Sequence, residues 1–301
     1  MVRLGLGLPN GGAEVDAADL VRLAVGAEQV GLDSVWVMDR WLRPHSAVTM
    51  PGVPVPITMP EDSYRTVFDP LEVLSFVAAR TDRIQLGTSA VNALYHPPVL
   101  LARRLATLDR LCGGRLVAGV TSGWMTEEFA VAGVPRTRMG DGFADHLAAM
   151  RAVWAPDPVS YDGPHYSIPT SDIGPKPVQD GVPLLVGYAT EAGIRRAARI
   201  GDGLHPYRND LSQLAGDLAV WRTAAEELGR DPGSMQVVLR AGARLDGPDS
   251  PERAAFTGPV ERWAGDLAAA EQLGVDHVLL QFAPGTGVDR TLEAMATLAG
   301  I

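Results

Sequence analysis

Two charged residues, Asp39 and Arg40, stand where an apolar stretch of the chain ends, and Trp41 and a long irregular segment follow them. A carboxylate can hold a proton, whereas an arginine, with a pKa above about 12, cannot act as a general base and instead binds oxyanions bidentately. Three interpretations of the pair stay open. They are a reaction whose proton comes from water or from an acidic group of the substrate, anion binding by Arg40, and a local ion pair between Asp39 and Arg40.

Histidines offer a second set of chemical groups. His96 follows one apolar stretch and His205 ends another, at strand ends where α/β proteins place reactive side chains, so both are catalytic candidates. His146 falls in a helical pattern and His277 at a strand start, and we predict structural roles for them. Because the spacing of the six histidines matches no metal motif and Cys112 is the single cysteine, no metal site and no internal disulfide are expected.

These groups must be positioned by a regular alternation of strands and helices. Eight short apolar stretches, each followed by a helical pattern, predict an α/β fold, namely a (β/α)8 TIM barrel formed as one domain over residues 1–301. The predicted strands cover residues 2–8, 34–38, 83–91, 115–120, 182–188, 201–206, 235–240 and 277–282. A doubly wound sheet is the rival, but the opening GLGLPNGG lacks the complete dinucleotide-binding pattern.

Two insertions, about residues 40–68 after strand 2 and 156–181 before strand 5, interrupt the alternation. Irregular segments longer than about 12–15 residues are usually lids or binding loops. Trp41, Tyr64 and Phe68 of the first insertion, together with Trp124, are therefore predicted to face the substrate and exclude water from the reaction.

Composition narrows the class of partner. A formal net charge of −10 argues against nucleic acid and against anionic membrane surfaces, since both attract clustered Lys and Arg. No apolar run reaches the roughly 18–20 residues of a membrane span, and the first residues resemble a strand rather than a signal peptide. We expect a cytoplasmic protein.

Two strand ends suit a phosphate group. Ser122 and Gly123 follow the fourth strand and offer a hydroxyl and backbone N–H groups, with Glu127 close behind. Gly187 ends the fifth strand, and Thr190 is positioned to cap the next helix, whose N-terminus favours an anion. A purely structural cap at Thr190, and a helix-face role for Glu127, are the alternatives.

The order of several motifs carries a resemblance. GLDSVWVMDRW, RIQLGTSAVNALYHPP, RLVAGVTSGWMTEEF, GPKPVQ and AARIGDGLHP follow one another as in the bacterial-luciferase-like monooxygenases, and the chain resembles the F420-dependent (deazaflavin) branch of that family. The resemblance covers residues 1–206 in detail. It implies a cofactor ring at the carboxyl ends of the barrel strands, supported by a non-prolyl cis peptide at Ser89-Ala90.

The same resemblance implies which residues bind the cofactor. The residues matching the family's binding positions are Asp39, Ser89, Ala90, Asn92, Ser122, Gly123, Glu127, Gly187, Tyr188, Ala189 and Thr190. Three positions depart from the branch. Arg40 replaces a proton-handling histidine, Trp124 replaces a glutamate, and Tyr188-Ala189 replaces a Gly-Gly pair.

The function implied is hydride transfer between coenzyme F420 and a small organic substrate. One alternative is an FMN-dependent two-component monooxygenase supplied by a partner reductase, and another is a barrel that binds a flavin or ligand without turnover. A reductase for flavin or F420 is thus a possible partner, and the family leads us to expect a homodimer.

Overall fold

Eight parallel strands close into one barrel in the computed structural model, which describes residues 2–13, 15–247, 249–250 and 252–300. The barrel strands are β1 (Arg3–Gly7), β2 (Ser34–Val37), β3 (Gln85–Asn92), β4 (Leu116–Thr121), β5 (Leu184–Val186), β6 (Gly203–Leu204), β7 (Gln236–Ala243) and β8 (His277–Phe282). Each strand pairs with its neighbour in sequence, and β8 returns to β1. The predicted (β/α)8 barrel is confirmed, and the doubly wound rival is wrong.

Helices follow every strand and cover the outside of the barrel. They are α1 (Ala17–Gln29), α2 (Pro70–Ala78), α3 (Pro98–Leu111), α4 (Thr126–Ala132), α5 (Asp141–Trp154), α6 (Glu191–Ile200), α7 (Leu211–Glu227), α8 (Trp263–Gln272) and α9 (Val288–Ala299). Side chains of Asp16, Asp69, Thr190 and Asp210 accept the first free N–H groups of α1, α2, α6 and α7. Helix α4 was not predicted from the sequence. No described helix is long and apolar enough to cross a membrane.

The barrel interior is filled by one large side chain. The indole of Trp36 packs in a layer with four aliphatic residues, which are Val117, Leu185, Val238 and Leu279. Gly87 makes room for it, since a Cβ there would lie 2.1 Å from the Trp36 ring, and Gly5 is similarly crowded. Trp36 Nε1 donates to Ser34 Oγ at 2.6 Å, which satisfies its only donor.

Both insertions contain secondary structure of their own. In the first, a short helix (Glu61–Tyr64) precedes a two-residue strand (Thr66–Val67) that pairs with Gly11–Gly12. In the second, the strands Val159–Asp162 and Ser167–Ser171 form an antiparallel hairpin. The sequence pattern placed both insertions correctly but indicated neither hairpin pairing nor the short helix.

Candidate active site

The carboxyl ends of β2, β3 and β4 are joined by side chains around Asp39. Its Oδ2 accepts from the backbone N–H and the Nδ2 of Asn92 at 3.0 and 3.3 Å, and Thr121 Oγ1 donates to Asn92 Oδ1 at 2.9 Å. Burial raises the pKa of Asp39 to about 6, helped by the nearby Glu128 carboxylate and opposed by the Asn92 bond. The mouth of the barrel therefore holds a carboxyl whose pKa is shifted from 3.8 to about 6.

Arg40 does not pair with Asp39. Its Nη1 donates to Glu128 Oε2 at 2.7 Å, while Glu128 Oε1 accepts from the Trp41 N–H at 2.8 Å. Both side chains of the pair are buried, with 9% and 0% of their surface exposed. The interpretation of a local ion pair between Asp39 and Arg40 is thus wrong. Arg40 pairs instead with Glu128, and this contact joins the start of the first insertion to helix α4.

Aromatic rings surround this ion pair. The Arg40 guanidinium lies 5.0 Å from the Trp124 ring centroid and 5.8 Å from that of Tyr64. Both rings pack against a small apolar cluster of Val48, Met59 and Met125. Two predicted lid residues, Tyr64 and Trp124, therefore come together at the mouth.

The other two predicted lid residues lie elsewhere. Trp41 is 38% exposed and contacts the rings of Tyr95 and His96 at 5.3 and 5.4 Å between centroids. Phe68 is half-buried and packs against the barrel core rather than against the apolar cluster of the insertion. The four predicted residues do not form one continuous lid.

Strand β3 carries the bulge that the family resemblance implied. The Ser89-Ala90 peptide is cis, and the pairing of β3 with β4 shifts register between Thr88 and Val91. Thr88 Oγ1 donates to the Gly119 carbonyl at 2.8 Å, and a Cβ on Gly119 would lie 2.1 Å from the Thr88 oxygen. The absent side chain at Gly119 allows this close approach of the backbones.

His205 lies beneath the bulge with both ring nitrogens bonded. Nε2 lies 2.8 Å from Ser89 Oγ and Nδ1 lies 2.7 Å from the Val238 carbonyl. A carbonyl accepts only, so Nδ1 carries the proton, and Nε2 accepts from the serine hydroxyl. Burial lowers the pKa of His205 to about 4, and the ring stacks on Trp36 at 5.4 Å. His205 is therefore neutral and supports the bulge from inside the barrel.

His96 is half-buried beside Trp41, and its own carbonyl accepts from His146 Nε2 at 2.9 Å. Burial lowers the pKa of the His96 ring, and the charge of Arg104 lowers it further. The structure thus places the two catalytic histidine candidates at different points of the mouth and does not bring them together.

The end of β5 has the features expected of a phosphate site. Thr190 Oγ1 accepts from the Gly193 N–H at 3.2 Å, which confirms the predicted N-cap. The N–H groups of Glu191 and Ala192 donate to no described part of the chain, and Ala189 is exposed beside them. Helix α6 therefore begins with donors available to an anion.

The hydroxyl of Tyr188 is bonded to helix α7. Its hydroxyl donates to Asp217 Oδ2 at 2.6 Å, and Arg208 Nε lies 2.9 Å from the same oxygen. Burial and the Asp217 carboxylate raise the pKa of Tyr188 well above its usual range. The tyrosine that replaces a family glycine is held by an acidic residue, so its hydroxyl is engaged within the protein.

The end of β4 lies close to the end of β5. Gly123 N donates to Thr121 Oγ1 at 3.4 Å, and Ser122 is half-buried next to it. A Cβ on Gly187 would lie 2.7 Å from the Thr121 side chain, so glycine keeps the space between the two strand ends open. Glu127, a predicted cofactor contact, is half-buried on α4, whereas the neighbouring Glu128 reaches the mouth.

Sequence reasoning missed two charged residues of the site. Glu128 was passed over for Glu127. Arg240 was treated only as the last residue of a strand, yet its Nη1 donates to the Ser89 carbonyl at 2.8 Å and its guanidinium lies 5.1 Å from the Tyr207 ring. A charged residue at the carboxyl end of a barrel strand is a known catalytic or binding position, and this signal was available for Arg240.

The residues at the mouth fit a flat cofactor with a phosphate tail. The cis peptide presents small backbone atoms at Ser89-Ala90, the glycine at 187 leaves an open cradle, and α6 offers unpaired N–H donors. Among the described residues, no group of three or more His, Cys, Asp or Glu has a metal-binding arrangement.

Comparison with known proteins identifies the family. A family model described as luciferase-like monooxygenase matches residues 3–300, and the chain therefore belongs to that family. An uncharacterised protein of Mycobacterium tuberculosis is 36% identical over 228 residues, covering 74% of this chain and 72% of that protein.

Two further proteins extend the comparison. An F420-dependent glucose-6-phosphate dehydrogenase of Kineococcus radiotolerans is 30% identical over 291 residues, covering 93% of this chain and 78% of that enzyme. The crystal structure of monooxygenase RslO1 from Streptomyces bottropensis superimposes with a TM-score of 0.79 at 22% identity, covering 99% of this chain and 98% of that one. This last likeness concerns the fold.

Proposed function

We propose that the protein is an F420-dependent oxidoreductase that transfers a hydride between the deazaflavin ring and a small organic substrate. The observation that carries the proposal is the hydrogen bond between the Asp39 carboxylate, whose pKa is raised, and Asn92. Asn92 lies on β3, the strand that also carries the Ser89-Ala90 bulge. The F420-dependent relative from Kineococcus radiotolerans supports the choice of cofactor.

The cofactor, when bound, supplies the carbon that donates or accepts the hydride. In the proposal, the bulge supports the flat ring from below, and the hydroxyl of Ser89 and the neutral ring of His205 hold the bulge in place. The free N–H groups at the start of α6 bind the phosphate. We assign Ser122, Gly123, Ala189 and the backbone of Tyr188 to this side, together with the half-buried Glu127.

The proton that accompanies the hydride is assigned to Asp39. Oδ2 is held by Asn92, so Oδ1 is the atom that holds and passes the proton. A carboxyl with a pKa near the working pH transfers protons efficiently in both directions. This assignment replaces the histidine that relatives carry where this chain has Arg40.

Binding of purified protein to F420 and to FMN, followed by fluorescence quenching, tests the cofactor. Tight F420 binding together with acceptor-dependent oxidation of reduced F420 is the expected result. Tight FMN binding without F420 binding overturns the proposal. In that case the candidate is an FMN-dependent two-component monooxygenase supplied by a partner reductase. Cofactor binding without turnover across a broad acceptor panel indicates a non-catalytic barrel.

A further inference from the structure

The mouth of the barrel contains a positive charge that has no acidic partner among the residues the structure describes. Arg240 points inward from β7, two residues after Val238 of the Trp36 layer, and is half-buried. No carboxylate among the described residues forms an ion pair with it. The ionisable groups that act on its guanidinium are Tyr207, Tyr64 and Arg40, and burial lowers the pKa of Arg240.

The donors of Arg240 are only partly used. Nη1 donates to the Ser89 carbonyl at 2.8 Å, while Nε is buried and has no acceptor in the described part of the chain. The N–H of Nε and one N–H of Nη2 point in parallel from the same edge of the planar group, a spacing that matches the two oxygens of a carboxylate. Because a buried charge left unpaired is costly, this edge is suited to an anionic ligand.

The other charged residues of the mouth do not meet this need. Arg40 is neutralised by Glu128 at 2.7 Å. The Asp39 carboxyl is bonded to Asn92, and the charges that affect its pKa are those of Glu128, Asp69 and Arg40. Within residues 2–13, 15–247, 249–250 and 252–300, Arg240 therefore has no counter-charge, which a ligand could supply.

The surroundings of Arg240 are aromatic. Tyr207 lies under the guanidinium at 5.1 Å and is 56% exposed, and Tyr64 approaches from the first insertion. Tyr64 also packs with Trp124 around Arg40. A ligand held by Arg240 therefore lies beside one cation and the exposed ring of Tyr207.

We propose that Arg240 determines substrate specificity by binding a carboxylate of the organic substrate through its Nε–Nη2 edge, so that the enzyme selects acids with an aromatic or apolar body. The proposal deepens the proposed function and rests on it only in treating the bound acid as the substrate. It requires no contact between Arg240 and the cofactor.

Calorimetric titration of the purified full-length chain with benzoate and its uncharged isostere benzamide tests this assignment. Benzoate is expected to bind at least about tenfold more tightly than benzamide, and Arg240→Gln to abolish the difference. Arg240→Lys keeps the charge but not the two-donor edge. Its preference for benzoate over benzamide should lie between those of the native chain and Arg240→Gln. Arg244→Gln, at an exposed arginine just beyond the same strand, should leave the difference unchanged.

Equal binding of benzoate and benzamide by the native chain overturns the proposal, as does an Arg240→Gln variant that loses only F420 or FMN affinity. Binding of inorganic phosphate in place of benzoate overturns the carboxylate assignment. Circular dichroism of each variant verifies folding, and Arg240→Lys provides the comparison if Arg240→Gln is unstable. Because no turnover is measured, a failure of hydride transfer does not affect the result.

Discussion

Arg40 and Glu128 form a buried ion pair, 2.7 Å between Nη1 and Oε2, that connects the start of the first insertion to helix α4. Glu128 also accepts from the Trp41 N–H, so a single carboxylate holds two consecutive residues. The arginine at the position of a family histidine thus holds the start of the first insertion against helix α4, and the proposed function assigns the proton to Asp39 instead.

Removing one member of this pair should destabilise the fold strongly. Arg40→Met leaves the Glu128 carboxylate buried without its cation, and we expect a loss of about 3–5 kcal/mol in the free energy of unfolding. The double variant Arg40→Met/Glu128→Leu should recover much of that loss. Denaturant unfolding measures both, and Arg195→Ala, in an exposed pair with Glu191, should cost only about 0.5 kcal/mol. If the loss in the double variant equalled the sum of the losses in Arg40→Met and Glu128→Leu alone, the two side chains would not be coupled.

Asp39 should make folding less favourable as the pH rises. Its pKa is raised from 3.8 to about 6, so the folded state prefers the protonated form, and ionisation between about pH 4 and 6 costs about 3 kcal/mol. Asp39→Asn remains neutral. Its unfolding free energy, relative to the native chain, should therefore increase by up to about 3 kcal/mol between pH 4 and pH 8. A constant difference across that range argues against the raised pKa.

The same variant tests the catalytic assignment. Asp39→Asn keeps an oxygen that can accept from the Asn92 N–H but cannot pass a proton. F420 affinity should change little, while acceptor-dependent oxidation of reduced F420 should fall about 10²- to 10⁴-fold. Retained turnover with an unchanged pH profile would place the proton transfer elsewhere.

Buried histidines should make the free energy of unfolding depend on pH in the opposite direction to Asp39. Burial lowers the pKa of His146 and His205 to about 4 and that of His277 to about 3. Each is held neutral, so its contribution is complete above about pH 6.5 and is lost as the pH falls towards 4, by about 2 kcal/mol for His146 at pH 5. The difference in unfolding free energy between pH 7.5 and pH 5 should be smaller for His146→Gln than for the native chain. The control His45→Gln, at an exposed histidine, should keep the native difference.

Thr190 should affect both stability and phosphate binding. Thr190→Ala removes the cap of α6 and is expected to cost about 1 kcal/mol, as is Asp210→Ala at the start of α7. Only Thr190→Ala should also weaken F420 binding, by about two- to fivefold, because it loosens the N–H groups assigned to the phosphate. The phosphate-free deazariboflavin should bind both variants equally. An equal loss of F420 affinity in Asp210→Ala would contradict the assignment of the phosphate to the start of α6.

Much of the fold could be predicted because each barrel strand is short, apolar and followed by a helical pattern. The strand at 277–282 was predicted with its observed bounds, while the predicted strand at 182–188 contains β5 at Leu184–Val186 only. Strand ends are set by pairing across the barrel, which the local pattern does not contain. Helix α4 has seven residues, too few for a periodic signal.

The candidate site was predicted less completely, since its key contacts join residues far apart in the sequence. The pairing of Arg40 with Glu128 spans 88 residues and the bond from Arg240 to Ser89 spans 151. The cis peptide at Ser89-Ala90 was obtained through the family resemblance and is confirmed. The roles of the individual binding residues, and the homodimer, stay predictions.

The indole of Trp36 between Gly5 and Gly87 has a consequence for access. The ring and four buried aliphatic side chains form a packed layer across the barrel interior, three residues before Asp39 in the sequence. Under the proposed function, the cofactor and the substrate therefore both enter from the Asp39 side of the barrel. An inhibitor of the proposed reaction would approach from the same side, where the rings of Tyr64 and Trp124 lie beside Arg40.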